Sequence, residues 1–370
     1  RTSSRNAWSN GKRALSMTDV WIEHTALKTA LGEGVETTFA ALLAKQTSFT
    51  APLHFDGKGR TLAICHDLDS RTAPGQSRAE ALLVSLRQQL PERLPERLYL
   101  ATTVGAIDLL EKDGSPIETS RALLDCAKRL FGVRQAWLVA AACASGQVAI
   151  TTAAAAIRAG QCSDALIVGC DIASEFVTAG FASLGALATT TPRPYSQDRD
   201  GMTLGEAAAA VVLTARPKLP CGRIAAWGET CDAAHITAPD RAGKWLGQAC
   251  QTALDGRTPA AIIGHGTGTV YNDDAELAAL TSLMPALPPL FSLKANLGHT
   301  LGATGVIQTI IATSILQRRQ LPPQAGLTIP DPRAVQAVSA FPAAIPDGGI
   351  LSINAGFGGI NHALLVEEAS

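Results

Sequence analysis

The sequence of 370 residues is poor in charged and aromatic side chains. Only 17% of the residues are charged and 5% are aromatic, while 46% are hydrophobic, so the composition excludes a disordered chain and favours a large buried core. The 31 basic and 32 acidic side chains leave a net charge of −1. Because there is no basic surplus for phosphate contacts and there are few aromatic stacking platforms, nucleic acid is not expected as a partner.

The eight cysteines lack the spacing of a structural zinc site, since no pair is separated by two residues, and no metal is expected. Cys162 and Cys170 lie in apolar segments and are expected to be buried thiols, which favours a reducing, cytoplasmic location. The uncharged stretch 135–157 is long enough to span a membrane. Its Ala, Ser, Thr and Gly content fits a strand, a turn and a helix better, so no membrane span is expected.

Residues 1–16 precede a more ordinary start at Met17, and we expect them to be a vector-derived tail. Beyond them, short apolar runs alternate with helical patterns. Strands are predicted at 98–104, 135–142, 164–170, 206–214, 260–263, 291–294 and 349–354. Helices are predicted at 35–43, 120–130 (with Ser120 as a possible N-cap), 144–159, 274–283 and 302–316. This alternation predicts an α/β layered fold, and the strand–turn–helix units in both halves permit a duplicated architecture.

The first candidate site is the turn 141–146 (AACASG), which places Cys143 between a predicted strand and a predicted helix. A helix N-terminus presents unpaired N–H groups, which lower the pKa of a thiol and stabilise a neighbouring oxyanion. Cys143 is therefore a candidate nucleophile. The alternative is a buried cysteine in an alanine-rich core.

Three further loops follow predicted strands in the second half of the sequence. The loop 264–269 (GHGTGT) places His265 at a strand end, where the sites of α/β proteins collect. The loop 292–300 (SLKANLGHT) carries His299 and also Lys294, which could tune it electrostatically. The loop 355–361 (AGFGGIN) flanks Phe357 with glycines, which suits a presented backbone amide and a movable ring. Incidental surface histidines and a plain turn are the alternatives, and a phosphate-binding loop at 264–269 would lack the Walker lysine.

The order of these four motifs resembles that of the elongating β-ketoacyl-acyl-carrier-protein synthases, which are thiolase-like condensing enzymes. The resemblance extends from about residue 25 to about 367, with supporting matches at 29–32, 193–194, 198–201, 204–206, 272–276 and 301–305. It implies a five-layered α-β-α-β-α fold made of two similar halves. The first half, 17–225, would carry the nucleophilic cysteine, and the second, 226–370, the two histidines and the glycine-rich gate, with the junction near 223–235.

The resemblance also implies a role for each residue of the reaction centre. Cys143 is expected to accept an acyl chain from a carrier-protein thioester. His265 and His299 are expected to promote decarboxylation of the malonyl unit and to stabilise the enolate, and two histidines, rather than one histidine and one asparagine, indicate extension by malonyl carrier protein. Lys294 is expected to support His299 and the electrostatics of the site. The backbone N–H groups of Cys143 and Phe357 are expected to form the oxyanion hole, with the Phe357 ring as a gate.

The remaining implied roles concern binding. Thr267 and Thr269 are expected to hydrogen-bond the phosphopantetheine arm, which arrives on the carrier protein, so no resident cofactor is expected. Glu276 is expected to organise the site rather than to react. The expected partners are an acyl carrier protein and either a second copy of the chain or a ketosynthase-like subunit.

The sequence departs from the family pattern at Ala355 and Met202, where phenylalanine is common, and in the short segment 49–98. These departures make a type II polyketide or polyene pathway at least as plausible as fatty-acid synthesis. A non-catalytic subunit like a chain-length factor is the main alternative to an active enzyme, but the retained Cys143, His265 and His299 argue against it. A thiolase acting on coenzyme A would carry a second cysteine near the C-terminal glycine-rich turn, which has none, and a Cys/His protease would leave the pantetheine motif unexplained.

Overall fold

The computed structural model describes residues 18–114 and 118–369, so the tail expected at 1–16 lies outside the described residues. The helices in these ranges are α1 Val35–Leu43, α2 Arg78–Gln89, α3 Ile107–Asp113, α4 Thr119–Phe131, α5 Ser145–Arg158, α6 Glu175–Ser183, α7 Lys244–Leu254, α8 Val270–Leu283, α9 Lys294–Leu297 and α10 Thr304–Arg318. The strands are β1 Trp21–Thr29, β2 Gly32–Glu33, β3 Phe49–Thr50, β4 Leu62–Ala63, β5 Arg97–Ala101, β6 Gln135–Val139, β7 Asp164–Asp171, β8 Ala207–Thr214, β9 Gly222–Cys231, β10 Ala261–Ile263, β11 Leu290–Phe291, β12 Gln320–Leu321, β13 Ala343–Ala344, β14 Ile350–Gly356 and β15 Ile360–Glu367. Short 3₁₀ helices span His66–Leu68 and Leu301–Ala303.

Two sets of five strands repeat the same topology. The first set has the spatial order β6-β5-β7-β8-β1 and the second has the order β11-β10-β14-β15-β9. In each set the first three strands named are parallel to one another. The fourth strand pairs antiparallel with the third, and the fifth pairs antiparallel with the fourth. A short contact between β1 and β9 joins the sets. The fold is therefore α/β and built from two similar halves, as predicted.

Helices cover both faces of each strand set. In β7, Leu166 and Val168 belong to an outer core with α2 and α4, whereas Ala165 and Ile167 belong to the central core with α5 and α10. The second set meets α7 and α8 on its own outer face. Strands buried on both faces read as continuous apolar runs rather than as alternating patterns, which is how they read in the sequence. The result is the predicted five-layered α-β-α-β-α arrangement.

The middle layer consists of α5 and α10, and their N-termini meet at two glycines. A Cβ atom on Gly146 would lie 2.8 Å from the carbonyl oxygen of Gly302, and one on Gly305 would lie 2.4 Å from the backbone nitrogen of Gln147. Because glycine has no Cβ, the two backbones can approach this closely. The crossing brings the loops that precede α5 and α10 to the same end of the fold.

The strand predicted at 135–142 differs most from the prediction. β6 ends at Val139 and lies at the edge of its set, where Trp137 and Leu138 are each 40% exposed instead of buried. Its apolar residues predicted a buried strand, but within residues 18–114 and 118–369 no further strand pairs with its outer edge. The local sequence cannot specify which strand becomes the edge.

Several other predictions need smaller corrections. Ser120 is not an N-cap, because α4 begins at Thr119 after Glu118. The strand predicted at 291–294 ends at Phe291, and Lys294 begins α9 instead. All eight cysteines are free thiols; Cys170 is buried as predicted, but Cys162 is only half-buried.

The boundary predicted between residues 225 and 226 falls inside β9, which comes first along the chain among the strands of the second set. The two sets are separated by the connection between the end of β8 at Thr214 and the start of β9 at Gly222. Among the helices of the described ranges, none is long and apolar enough to cross a membrane.

Candidate active site

Cys143 lies on the tight turn between β6 and α5. Ala142, directly before it, has a φ of 48°, a left-handed conformation that is uncommon for alanine. Ser145 holds this turn, because its Oγ accepts the N–H of Ala141 at 2.8 Å and donates to the carbonyl oxygen of Ala142 at 2.6 Å. The cysteine therefore lies next to the N-terminus of α5, where the sequence placed it.

Burial decides the protonation state of Cys143, which is 6% exposed. Burial raises the pKa of the thiol to about 11, although the charge of Lys294 and the backbone N–H groups of Phe357 and Cys143 favour the thiolate. The predicted lowering of this pKa by the helix N-terminus is therefore wrong, because desolvation outweighs it. The two N–H groups that interact with the sulfur are those predicted to form the oxyanion hole.

His299 presents a hydrogen-bond donor to the cavity beside Cys143. Its Nδ1 accepts the N–H of Leu301 at 3.2 Å, and because a backbone N–H can only donate, the ring proton lies on Nε2. Within the described part of the chain this Nε2 is buried without a partner. Burial, and then the charge of Lys294, lowers the pKa of His299 well below its ordinary value, so the ring is neutral. A neutral ring with an unpaired Nε2–H can donate to a developing oxyanion.

His265 lies two residues after the end of β10, and its ring centroid lies 5.5 Å from that of His299. Its Nδ1 lies 3.3 Å from Oδ1 of Asn354 and 3.3 Å from Nζ of Lys294. Burial, and then the charge of Lys294, lowers the pKa of His265 well below its ordinary value. Both histidines of the site are therefore neutral imidazoles at physiological pH.

Lys294 lies behind the His265 loop and is 1% exposed. Its Nζ donates to the carbonyl oxygen of His265, and burial lowers its pKa. The Nζ of Lys294 thus bonds the backbone of His265, whereas its charge alone acts on His299. Lys294 was predicted to support His299 electrostatically, and its charge does act on that ring; its hydrogen bond to the backbone of His265 was not predicted.

Glu276 on α8 fixes the backbone at His265. Its Oε1 accepts the N–H of His265 at 2.6 Å, and its Oε2 accepts the N–H of Gly266 at 2.8 Å and the hydroxyl of Tyr195 at 3.2 Å. Burial, and then the charge of Asp273, raises the pKa of this carboxyl. Glu276 acts on the loop backbone and does not line the cavity that holds Cys143.

Asp273 fixes the next part of the same loop. Its carboxylate accepts the N–H of Thr267 at 2.9 Å and the N–H of Gly268 at 3.2 Å. The hydroxyl oxygens of Thr267 and Thr269 lie 2.8 Å apart. The two threonines therefore present a pair of hydroxyls on a rigid loop.

One cavity of about 340 Å³ brings together six of the predicted site residues: Cys143, His265, His299, Thr267, Thr269 and Phe357. Lys294 and Glu276 support this cavity from behind. Ala355 and Met202, the two departures from the family pattern, lie on its wall.

A second cavity, of about 550 Å³ and lined mainly by apolar residues, also contains Cys143 in its wall. Phe181 and Phe357 line both cavities, and their ring centroids are 5.6 Å apart. Phe176 and Leu184, at the α6 side of this cavity, are 66% and 51% exposed. The second cavity is therefore apolar, adjoins the thiol and opens to the surface.

The buried polar residues near the site that were not predicted include Asn354, Gln308, Tyr195 and Asp171. The carboxylate of Asp171 accepts the N–H of Gly302 at 2.7 Å and so holds the 3₁₀ turn that follows His299. Gln308, Asn354 and Asp171 are each a polar residue in an apolar helix or strand. A buried polar group needs a hydrogen-bond partner, so a polar residue inside an apolar element is a signal by which these residues could have been recognised.

Comparisons with known proteins agree with this geometry. Residues 134–218 match the family model "Beta-ketoacyl synthase, N-terminal domain", and residues 221–328 match "Beta-ketoacyl synthase, C-terminal domain". The chain is 32% identical over 244 residues to 3-oxoacyl-[acyl-carrier-protein] synthase 2 of Mycobacterium leprae, covering 60% of this chain and 58% of that protein. It is 30% identical over 268 residues to the putative polyketide beta-ketoacyl synthase 1 of Streptomyces cyaneus, covering 65% of this chain and 63% of that protein.

Among solved structures, the ishigamide ketosynthase/chain length factor superposes with a TM-score of 0.87 at 25% identity, covering 96% of this chain and 100% of that chain. The sequence matches to the curated relatives are shorter. They span about three-fifths of the length of those relatives.

Proposed function

The chain belongs to the β-ketoacyl synthase family, and from this premise we propose that it condenses an acyl chain held on Cys143 with malonyl-acyl carrier protein to give a β-ketoacyl-acyl carrier protein. The observation that carries the proposal is the convergence of Cys143, His265 and His299 on one cavity. The enzyme would be an acyltransferase of fatty-acid-like, type II polyketide or polyene synthesis.

The first step is transfer of the acyl chain to Cys143. Its sulfur attacks the carbonyl carbon of a carrier-protein thioester, the carbon–sulfur bond to pantetheine breaks, and the pantetheine sulfur takes the proton released by the Cys143 thiol. The N–H groups of Cys143 and Phe357 stabilise the oxyanion that forms on the way. Covalent catalysis of this kind divides a difficult condensation into two easier steps.

The second step consumes malonyl carrier protein. The bond between the malonyl carboxylate and its neighbouring carbon breaks, CO₂ leaves, and the electron pair passes into a thioester enolate. The Nε2–H of His299 donates to the enolate oxygen, and the neutral ring of His265 lines the same cavity. The enolate carbon then attacks the acyl thioester on Cys143, and the cysteine sulfur leaves and is reprotonated.

The two cavities suit the two ends of the substrate. The cavity that contains the two histidines would hold the pantetheine arm against Thr267 and Thr269, so no resident cofactor is needed. The apolar cavity beside Cys143 would hold the acyl chain, with the Phe357 ring between them as a gate.

Acyl loading followed by mass spectrometry tests this function. The purified protein is incubated with acyl-carrier-protein thioesters of different chain types, and the mass of the intact protein and of its peptides is measured. We expect one acyl group on the Cys143 peptide, lost in Cys143→Ala but kept in the matched variant Cys231→Ala, which removes an exposed thiol. Malonyl carrier protein should then release the chain as a β-ketoacyl product. Absence of loading, or loading that survives Cys143→Ala, would contradict the proposal.

We also propose that the protein works as a dimer with a second copy or with a related subunit. Three observations support this: the outer edge of β6 is unpaired in the described part of the chain, Trp137 and Leu138 are exposed on it, and the apolar cavity is open at its rim. Light scattering would give the mass of the wild type, and Leu138→Glu should shift it toward the monomer. The same mass in both proteins would show that β6 is not the interface.

A second candidate function is that of a chain-length-factor-type subunit, because one similar structure is that of a ketosynthase/chain length factor. Retention of Cys143, His265, Lys294 and His299 favours the active enzyme instead. If no acyl chain loads, alone or with a co-purified partner, the subunit role becomes the better proposal. Either way we propose the cytoplasm as the location, because all eight cysteines are free thiols.

A further inference from the structure

A chain of buried amides runs from the middle of α10 to His265. Gln308 on α10 and Asn354 on β14 are both fully buried, and the Nδ2 of Asn354 donates to the Oε1 of Gln308. The Oδ1 of Asn354 lies 3.3 Å from the Nδ1 of His265. Neither amide lines the cavity of about 340 Å³, so they touch the reaction only through His265.

The orientation of both amides follows from their partners. The Nε2 of Gln308 lies 3.0 Å from the carbonyl oxygen of Gly264 and 3.4 Å from that of Ile353. Carbonyl oxygens can only accept, so this end of Gln308 must be its NH₂ group, and its oxygen must face Asn354. Asn354 in turn presents its NH₂ group to Gln308 and its oxygen to His265.

This orientation selects one tautomer of His265. The Oδ1 of Asn354 can only accept, so the contact is a hydrogen bond only when the proton of the neutral imidazole lies on Nδ1. Lys294 competes for the same atom, because its Nζ also lies 3.3 Å from Nδ1 and would donate to it in the opposite tautomer. Lys294 has an alternative acceptor in the carbonyl oxygen of His265, whereas the Oδ1 of Asn354 has no donor besides His265 among the described hydrogen bonds.

We infer that Asn354, oriented by Gln308, is a positioning residue that holds the proton of His265 on Nδ1 and leaves Nε2 as a proton acceptor facing the cavity. The two histidines then present opposite groups to the substrate, a donor at Nε2 of His299 and an acceptor at Nε2 of His265. This inference rests on the proposed function and deepens it. The acceptor can take the proton that the Cys143 thiol loses as its sulfur attacks the carrier-protein thioester, and can pass it to the departing pantetheine sulfur, whereas loss of CO₂ from malonyl carrier protein releases no proton.

The tautomer can be measured without any substrate. In protein labelled with ¹⁵N-histidine, long-range ¹H–¹⁵N correlation spectra distinguish a protonated from an unprotonated Nδ1, and the His265 signals are assigned by their loss in His265→Asn. We expect a protonated Nδ1 in the wild type and in Asn354→Asp, which keeps the accepting oxygen. In Asn354→Leu the proton should move to Nε2, since Lys294 is then the remaining partner of Nδ1. An Nε2–H tautomer in the wild type would overturn the inference, even if no Asn354 variant folds.

The two half-reactions give a second readout. We expect Asn354→Leu to slow acylation of Cys143 about 100-fold, the scale of a lost acid–base group, with decarboxylation of malonyl carrier protein nearly unchanged. Asn354→Asp should restore most of the acylation rate. Thr309→Val is the matched control, because it removes a buried hydroxyl one residue along α10 that bonds only the carbonyl oxygen of Gly305. Equal slowing of both half-reactions in Asn354→Leu would indicate a merely structural role, and wild-type protein inactive in both would refute the proposed function instead.

Discussion

Replacing Gly305 by alanine should destabilise the protein at the crossing of α5 and α10. The new Cβ would lie 2.4 Å from the backbone nitrogen of Gln147, whereas ordinary van der Waals contacts begin at 3.4 Å. The helices would have to separate by about 1 Å, and overpacking of a well-packed core costs roughly 1–3 kcal/mol. Backbone atoms cannot rotate away as a side chain can, so we expect the upper end of that range. The better helix propensity of alanine offsets about 1 kcal/mol, which leaves a net loss of about 2 kcal/mol.

Equilibrium unfolding in urea measures this change, and Gly247→Ala is its matched control. Gly247 also lies inside a helix, α7, but a Cβ there would meet its nearest atoms at 3.7 Å. The control should therefore gain about 0.5–1 kcal/mol, so that the same substitution has opposite signs at the two positions. Because Gln147 lies in the first turn of α5, Gly305→Ala should also slow acylation of Cys143. Equal stabilities of the two variants would refute the argument from close approach.

Three further predictions concern pH, a buried ion pair and chain length. Burial raises the pKa of Cys143 to about 11, so the reactive thiolate is scarce at neutral pH. The rate at which iodoacetamide alkylates Cys143 should therefore rise about tenfold for each pH unit between pH 7 and 10. A rate that does not change with pH would contradict the raised pKa. Arg78 and Glu206 form a buried ion pair at 2.8 Å. Glu206→Gln leaves the arginine charge without this partner, so it should lower the free energy of unfolding, measured in a urea titration, by about 3–5 kcal/mol. A loss below about 1 kcal/mol would show that the pair does not stabilise the fold. Gly180 on α6 lines the apolar cavity, and a Cβ atom there would have no neighbour within 4 Å. Gly180→Leu should therefore fill part of this cavity and shorten the longest acyl chain that mass spectrometry finds on Cys143. An unchanged range of chain lengths would place the acyl chain elsewhere.

The convergence of the site could be predicted because its main residues lie at strand ends. Cys143 follows β6, His265 follows β10 and Phe357 follows β14, and the apolar residues of each strand are visible in the sequence. The carboxyl ends of parallel strands gather at one edge of a sheet, so polar residues there meet. The partners of these residues were harder to predict. Nothing local links Asn354 to His265, which is 89 positions away, or to Gln308.

The sequence by itself determined the α/β class, the alternation of elements, the strand–turn–helix units of both halves and six of the residues that line the cavity of about 340 Å³. These follow from local signals: apolar runs, glycines after helices, and polar residues on turns. Only the tertiary structure decided that β6 is an edge strand, that Lys294 bonds His265 rather than His299, and that Cys143 is a neutral thiol. Each of these depends on which distant segments pack around a residue and how completely they exclude water. Periodicity tells which face of an element is buried, but not which neighbour buries it.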